Sequence, residues 1–183
     1  IADAQLAATA PAGFGEAVAA FMNPGGIRAD LTYASSPAGE GDGNVTYGEA
    51  FTVQPFGNSL VTMTLTGQQI DTLLEQQIDT PAPGQNRILQ VSEGFTYSWS
   101  ASAPTGNKVD IGSIAIDGVP IDPAASYRVT VNSFLADGGD NFTVLVQGTD
   151  RLGGALDLDA LTDYFAANSP VAPGPQNRIT LLP

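Results

Sequence analysis

Three short segments of the sequence place polar or aromatic side chains beside glycine turns, where the backbone can approach a ligand closely. Residues 23–28 (Asn-Pro-Gly-Gly-Ile-Arg) carry an amide and a guanidinium, residues 54–58 (Gln-Pro-Phe-Gly-Asn) an aromatic ring and an amide, and residues 133–142 an aromatic ring and carboxylates. Aromatic faces stack on planar bases, and a carboxylate suits the vicinal hydroxyls of a ribose. These groups favour recognition of a small polar ligand with a planar part.

Each of these residues also has an ordinary structural explanation. Arg28 could pair with one of many surface acids, Phe56 could belong to the core, and Asp140 could cap a turn. Residues 137–140 (Asp-Gly-Gly-Asp) invite a calcium-loop interpretation, but they lack the alternating ligands and the distal glutamate of an EF-hand. It is therefore the combination of segments, and no single residue, that predicts a site. The candidate side chains in the three segments are Asn23, Arg28, Phe56, Asn58, Phe134 and Asp140.

The composition excludes several kinds of chemistry. The 183 residues include no histidine and no cysteine, so the usual zinc and transition-metal ligands, the Ser-His and Cys-His couples and disulfides are all excluded. Only an all-oxygen calcium or magnesium site remains open. The net charge of −13 would repel nucleic acid and anionic membranes, although a local arginine can still bind a small anion. No run of about 20 apolar residues predicts insertion into a membrane.

Strands and helices alternate along the chain without a βαβ rhythm, which predicts a mixed α/β or α+β fold. Thr66 and Gln69 form a capping-box pattern that predicts a helix directly after a strand, and Asp157 is predicted to cap a second helix. Residues 35–44 have almost no apolar content and are predicted to form a loop. Hydrophobic patterning predicts strands at residues 17–22, 60–66, 95–100, 111–116 and 127–131.

One four-residue sequence occurs twice. Gln-Asn-Arg-Ile stands at residues 85–88 and again at 176–179, each time after a predicted helix and a Pro-Gly-containing loop. The repeat indicates a duplicated helix-loop-strand unit, or a chance match in two similar turns.

Taken in order, the three glycine-containing segments resemble the C-terminal domain of the 5'-nucleotidase family. The resemblance extends over nearly the whole chain, which we interpret as one such domain at residues 1–183. It implies a four-layer α-β-β-α fold with two related halves, and a partner domain in the same polypeptide. That N-terminal metallophosphoesterase domain would hold two divalent metal ions and perform the hydrolysis, so no cofactor and no catalytic residue are expected in this chain.

The same resemblance assigns roles to individual residues. Phe56 and Phe134 would enclose the base of a nucleotide or nucleoside, and Asp140 would bind the ribose hydroxyls. Asn23, Arg28 and Asn58 would hold polar parts of the base, ribose or phosphate. Gly94 would offer a backbone contact to the base.

The sequence departs from the family pattern in two respects. A substrate-contacting arginine of the family would lie before Ile1, and Pro24 stands where a small residue is frequent. Ile1 falls in what reads as the middle of a helix, so we expect further chain before it. High acidity, few lysines and no cysteine are typical of an exported bacterial protein, extracellular or in the cell envelope.

Two other classes of function remain open from the sequence. The chain could be a non-catalytic acidic surface or adhesion module of an exported protein, in which the glycine-rich segments are only turns. A phosphatase complete in itself is disfavoured because the chain has no histidine.

Overall fold

The computed structural model describes residues 1–34 and 36–183. In this part of the chain, helices and strands are joined by short turns and a few longer loops. The α-helices are α1 (Ala2–Thr9), α2 (Tyr47–Val53), α3 (Gly67–Gln76), α4 (Ser133–Ala136) and α5 (Asp157–Asn168). The strands are β1 (Ala19–Met22), β2 (Ser59–Thr66), β3 (Gln90–Val91), β4 (Phe95–Ser100), β5 (Val109–Ile116), β6 (Val119–Pro120), β7 (Ser126–Asn132), β8 (Thr149–Leu156) and β9 (Ile179–Leu182).

The strands form two mixed sheets. The larger sheet has the order β3-β1-β7-β2-β8, in which β1 and β7 are parallel and the other neighbours antiparallel. The smaller sheet has the order β6-β5-β4-β9, in which β4 and β9 are parallel. The predicted mixed α/β class is therefore confirmed.

The main hydrophobic core lies between the two sheets. Phe21 of β1 meets Phe95 of β4 edge to face, with ring centroids 5.0 Å apart, a geometry that aromatic pairs prefer. Helix α3 packs into the same core through Ile70, Leu73 and Leu74, which are completely buried. Helices α1, α2 and α5 form a second, smaller cluster.

Two predictions about helix starts had different outcomes. At α3 the capping box is confirmed. The backbone amide of Gln69 donates to Thr66 Oγ1 at 3.2 Å, and the backbone amide of Thr66 donates to Gln69 Oε1 at 2.9 Å. The prediction that Asp157 caps α5 is wrong. Leu156 occupies the cap position because its backbone is extended (φ −64°, ψ 142°), and Asp157 is the first residue of the helix. The Asp157 carboxylate accepts a hydrogen bond from Asn58 at 3.4 Å.

The repeated sequence lies in a repeated order of elements. β2, α3, a loop and β3 follow one another, as do β8, α5, a loop and β9. The strands that end the two series join different sheets, so the two arginines of the repeat, Arg87 and Arg178, have different neighbours.

The predicted loop at residues 35–44 has no helix or strand at residues 36–44, and Ser35 lies outside the described residues. Among the helices of the described chain, none has the length and apolar character needed to span a membrane.

Candidate functional site

The chain segments singled out by sequence lie at one edge of the larger sheet, the edge formed by the ends of its strands. β1 and β7 are parallel, so both end at this edge, at Met22 and Asn132. β2 runs antiparallel to β7 with Leu60 opposite Asn132, so β2 begins there. Residues 23–28, 54–58 and 133–142 are therefore neighbours in space, although they are far apart in sequence. Such an edge, where strand ends meet, is a frequent ligand site in α/β proteins.

A buried network of amides holds the carboxylate at this edge. Asn23 is only 3% exposed, and its Nδ2 donates to Asp140 Oδ2 at 2.8 Å. Asn132 Nδ2 donates to Asn23 Oδ1 at 3.0 Å, and the backbone amide of Leu135 donates to Asn132 Oδ1 at 2.9 Å. Asn132 thus caps α4 and orients the Asn23 amide at the same time. The network fixes the position of Asp140 relative to β1 and β7.

Glycines make the close approach in this network possible. A Cβ on Gly26 would lie 2.5 Å from the terminal methyl of Met22 and 2.9 Å from Asn23 Oδ1, too close for real atoms. Asp140 itself has a φ of 55°, a left-handed conformation that non-glycine residues adopt rarely and that is frequent at functional sites.

Phe56 and Arg28 form one wall of the site. Phe56 follows the end of α2 and precedes Gly57, whose φ of 64° turns the chain into β2. The Arg28 guanidinium lies over the Phe56 ring, 5.7 Å from its centroid, and donates to the carbonyl of Gly25 at 3.1 Å. No carboxylate is within ion-pairing distance of Arg28 in residues 1–34 and 36–183. The cation is therefore free to attract an anionic group.

Phe134 provides the second aromatic ring. It lies on α4, and a Cβ on Gly139 would approach its Cε1 to 2.5 Å, so the ring rests directly on the glycine backbone. Phe134 and Phe56 are 47% and 58% exposed. The ring-to-ring contacts among the described residues are confined to Phe21, Phe95 and Tyr97. The rings of Phe56 and Phe134 therefore do not contact each other.

Asn58 is held from two sides at the same cleft. Its Nδ2 donates to Asp157 Oδ2 at 3.4 Å, and its Oδ1 accepts from Ser133 Oγ at 3.3 Å. Burial raises the pKa of Asp157, and the hydrogen bond from Asn58 offsets part of this effect. Ser133 and Asp157 therefore set the orientation of the Asn58 amide.

These residues enclose one cleft of about 440 Å³. The cleft combines two aromatic rings, a guanidinium, three side-chain amides and one carboxylate, a composition that is frequent in small-molecule sites. Six of the seven predicted residues line it. Its lining consists of Asn23, Gly25, Gly26, Arg28, Phe56, Asn58, Asn132, Phe134 and Asp140.

Gly94, the seventh predicted residue, does not line this cleft. It lies between β3 and β4, where its φ of 84° suits a turn and its carbonyl accepts a hydrogen bond from the Asp117 amide at 2.8 Å. A Cβ at this position would collide with the Asp117 carboxylate. The turn and the close approach of Asp117 both favour a glycine at this position.

Two residues of the site were missed by the sequence analysis. Asn132 ends β7 immediately before α4, and an Asn before a helix start is a capping signal that could have been recognised. Arg87 Nη1 lies 3.5 Å from Asp140 Oδ1 and donates to the Asp140 carbonyl at 3.2 Å. Because Arg87 is 53 residues from Asp140 in sequence, no local pattern could predict this contact.

No group of three or more acidic side chains within residues 1–34 and 36–183 is arranged to hold a metal ion. The cleft itself offers hydrogen-bonding side chains, the Arg28 guanidinium and two aromatic rings.

The structure defines a mixed α/β domain with a cleft where strands of the larger sheet end. Comparison with known proteins identifies the family of this domain. Residues 1–147 match the family described as 5'-nucleotidase, C-terminal domain, so the chain belongs to the 5'-nucleotidase family and corresponds to its C-terminal domain. Proteins of this family pair the domain with a catalytic domain.

Individual relatives agree with this assignment. A 5'-nucleotidase precursor from Thermus thermophilus has a similar structure, with a TM-score of 0.82 and 37% identity over 99% of this chain. An apyrase from Tabanus yao is 31% identical over 88% of the chain. The endonuclease YhcR from Bacillus subtilis is 33% identical, again over 88%.

All three relatives are much longer than this chain. The match covers 34% of the Thermus protein, 29% of the apyrase and 12% of the endonuclease. The chain is thus similar to one domain of each relative.

Proposed function

We propose that the cleft binds a nucleotide or nucleoside and presents its phosphate ester to a metallophosphoesterase domain of the same polypeptide. The observation that carries this proposal is the position of Phe56 and Phe134, two exposed rings on one cleft beside a carboxylate and an unpaired guanidinium. A water-exposed ring gains little by itself, but it can stack on a base with roughly 1–3 kcal/mol per contact. A base between two rings accounts for their exposure.

The remaining groups suit the other parts of a nucleotide. The Asp140 carboxylate can accept hydrogen bonds from ribose hydroxyls while Asn23 holds it in place. Arg28 can attract a phosphate because no acid of the described chain pairs with it, and Asn58 can exchange hydrogen bonds with the base or the ribose. Gly94 is not included, because it lies outside the cleft.

Hydrolysis is assigned to a domain outside this chain. The sequence has no histidine, whereas a two-metal phosphoesterase centre needs several metal ligands on one rigid framework. Two divalent metal ions in the partner domain would supply the Lewis acid and the activated water. The names of the Thermus and Tabanus relatives, a 5'-nucleotidase and an apyrase, support a phosphoric ester hydrolase as the parent enzyme.

The acidic composition supports a location outside the cell. The chain has a net charge of −13 and no cysteine. On this basis we propose that the parent is a secreted or envelope-associated bacterial protein.

Titration of the isotope-labelled chain with adenosine and AMP, followed by NMR, tests the binding proposal. We expect the signals of Phe56, Phe134 and their neighbours to shift, and AMP to shift Arg28 more than adenosine does. Affinity should be weak, because association carries its entropic cost without the contacts of the partner domain. Shifts confined to other surfaces, or no shift at millimolar ligand, would contradict the proposal and favour an acidic surface module.

A phosphatase assay tests the division of labour. The purified chain should release no phosphate from AMP when zinc, manganese or magnesium is added. Turnover that co-purifies with the chain and is lost on substitution of its own acidic residues would contradict the assignment of hydrolysis to another domain.

A further inference from the structure

The Asp140 carboxylate depends on two partners from different parts of the chain. Asn23 Nδ2 contacts one carboxylate oxygen at 2.8 Å, and Arg87 Nη1 is 3.5 Å from the other. The same Arg87 nitrogen donates to the Asp140 carbonyl at 3.2 Å. One guanidinium thus holds both the side chain and the backbone of a residue with a left-handed φ of 55°.

The loop around Asp140 is held by local backbone hydrogen bonds, from the Gly138 amide to the Leu135 carbonyl at 2.8 Å and from the Phe142 amide to the Gly139 carbonyl at 3.1 Å. Gly138 and Gly139 precede Asp140, and Gly138 has a φ of 86°, so this part of the backbone has more conformational freedom than other residues allow. The guanidinium comes from outside this loop and therefore acts as an external brace.

Arg87 is itself firmly anchored. Its backbone amide donates to the Gln77 carbonyl at 2.7 Å. Gln77 is completely buried, and its side chain bonds to the Leu89 amide and to the Tyr97 hydroxyl. Arg87 thus connects the main core, at the end of α3, with Asp140 at the cleft.

The second copy of the repeated sequence has no such role. Arg178 contacts Asp3 at 2.7 and 3.0 Å and the Val91 carbonyl at 2.9 Å, and it does not line the cleft. Arg87 does not line the cleft either, but it contacts the cleft residue Asp140, which Arg178 does not.

From this geometry we infer that Arg87 is a positioning residue for ribose recognition, which acts through Asp140 and does not contact the ligand. The inference rests on the proposed function. Arg87 holds the Asp140 carboxylate in the place where a ribose would meet it, so that binding does not have to order this side chain.

The inference predicts a selective loss of affinity. Arg87→Met should weaken adenosine binding by roughly 5- to 20-fold, the size expected when a charge-assisted contact is removed. It should change the affinity for adenine and for 2',3'-dideoxyadenosine by less than about twofold, because neither offers the vicinal hydroxyls to Asp140. Arg87→Lys should restore part of the loss, since a lysine replaces the charge but not the planar fork.

Lys108→Met is the matched control. It removes one positive charge from an ion pair of similar length, 3.8 Å to Asp79, and Lys108 does not line the cleft. Its adenosine affinity should equal that of the parent.

A double-mutant cycle with Asp140→Asn separates positioning from direct contact. If Arg87 acts through Asp140, adding Arg87→Met to Asp140→Asn should weaken binding by less than about a further twofold. A further large loss in the Asp140→Asn background would overturn the inference, because Arg87 would then touch the ligand. Equal losses for adenine and adenosine would also overturn it, since Arg87 would then support the cleft as a whole.

A readout without ligand tests directly whether Arg87 positions Asp140, and the binding data separate failure of this inference from failure of the proposed function. In the free protein, the side-chain amide signals of Asn23 should shift in Arg87→Met and stay unchanged in Lys108→Met. A parent that binds adenosine while Arg87→Met binds it equally well overturns the inference alone. A parent that binds no nucleoside overturns the proposed function and this inference together, whatever the Asn23 signals do.

Discussion

The phenylalanines of the core and those of the cleft occupy different environments. Phe21, Phe95 and Phe142 are completely buried, whereas Phe56 and Phe134 are 58% and 47% exposed on the cleft. The buried rings contribute to stability by removing apolar area from water. Phe56 and Phe134 forgo most of that gain, as do Phe14 and Phe51, which are 64% and 48% exposed. Only Phe56 and Phe134 line the cleft, and the proposed base binding would explain why two exposed rings lie there.

Arginines differ between the two regions in the same way. Arg178 makes paired hydrogen bonds to the Asp3 carboxylate and ties the start of the chain to β3. Arg28 has only a backbone carbonyl and an aromatic face as partners within the described residues. Arg178 is thus paired with a carboxylate, whereas Arg28 has no carboxylate partner among the described residues. Substitutions in each region should therefore affect different properties.

The largest effect is expected in the core. Phe95→Ala should lower the free energy of unfolding by roughly 3–5 kcal/mol, because it removes a buried ring and leaves a cavity between the sheets. Urea unfolding followed by far-UV circular dichroism measures this loss. A loss below about 1 kcal/mol would mean that the ring is not part of a close-packed core.

A smaller loss is expected for the ion pair that ties the chain start to β3. Burial alone would raise the pKa of Asp3, but hydrogen bonds from Arg178 and from the Glu93 amide outweigh it and hold the pKa below its ordinary value. Asp3→Asn should lower stability at pH 7 by roughly 1–3 kcal/mol, with little effect on the cleft.

The pH dependence of this loss follows from the sign of the shift. A carboxyl whose pKa is depressed by folding stabilises the folded state fully above the ordinary Asp pKa of about 3.9, and this contribution is lost as pH falls through the lower, folded pKa. The stability difference between the parent and Asp3→Asn should therefore shrink below about pH 4. A difference that stays constant from neutral pH down to about pH 3 would contradict the role of this pair.

The smallest effect is expected for the free cation of the cleft. Arg28→Ala should leave stability nearly unchanged and weaken AMP binding by roughly three- to tenfold at low salt, with less effect on adenosine. The difference between AMP and adenosine should shrink as salt is raised, because Arg28 is accessible to solvent and its charge is screened. Equal effects on both ligands at all salt concentrations would exclude a phosphate contact.

Local signals predicted the fold well where the chain follows a simple pattern. The alternating apolar residues of β2 and the capping box of α3 were both recognised. β8 was not predicted, because it is an exposed edge strand and has no apolar alternation. α2 was overlooked although Thr46 and Glu49 form a capping box there, so its signal was present in the sequence.

The candidate site was predictable in its residues but not in its connections. Glycine turns beside Phe56, Arg28 and Phe134 marked the positions from sequence, because each turn is a local feature. The contacts of Asp140 with Asn23 and Arg87 join residues 117 and 53 positions apart. Only the sheet topology brings these residues together, and no local pattern encodes it.

We propose that Phe56 and Phe134 belong to a base-binding cleft and not to the core. The most direct test measures urea stability and adenosine affinity on the same samples of Phe56→Ala and Phe134→Ala. We expect each variant to weaken adenosine binding by roughly 1–3 kcal/mol, with less than full additivity in the double variant because both rings share one ligand. Each should lose far less stability than Phe95→Ala. The proposal would be contradicted if both variants unfolded readily while their remaining folded fraction bound adenosine as tightly as the parent.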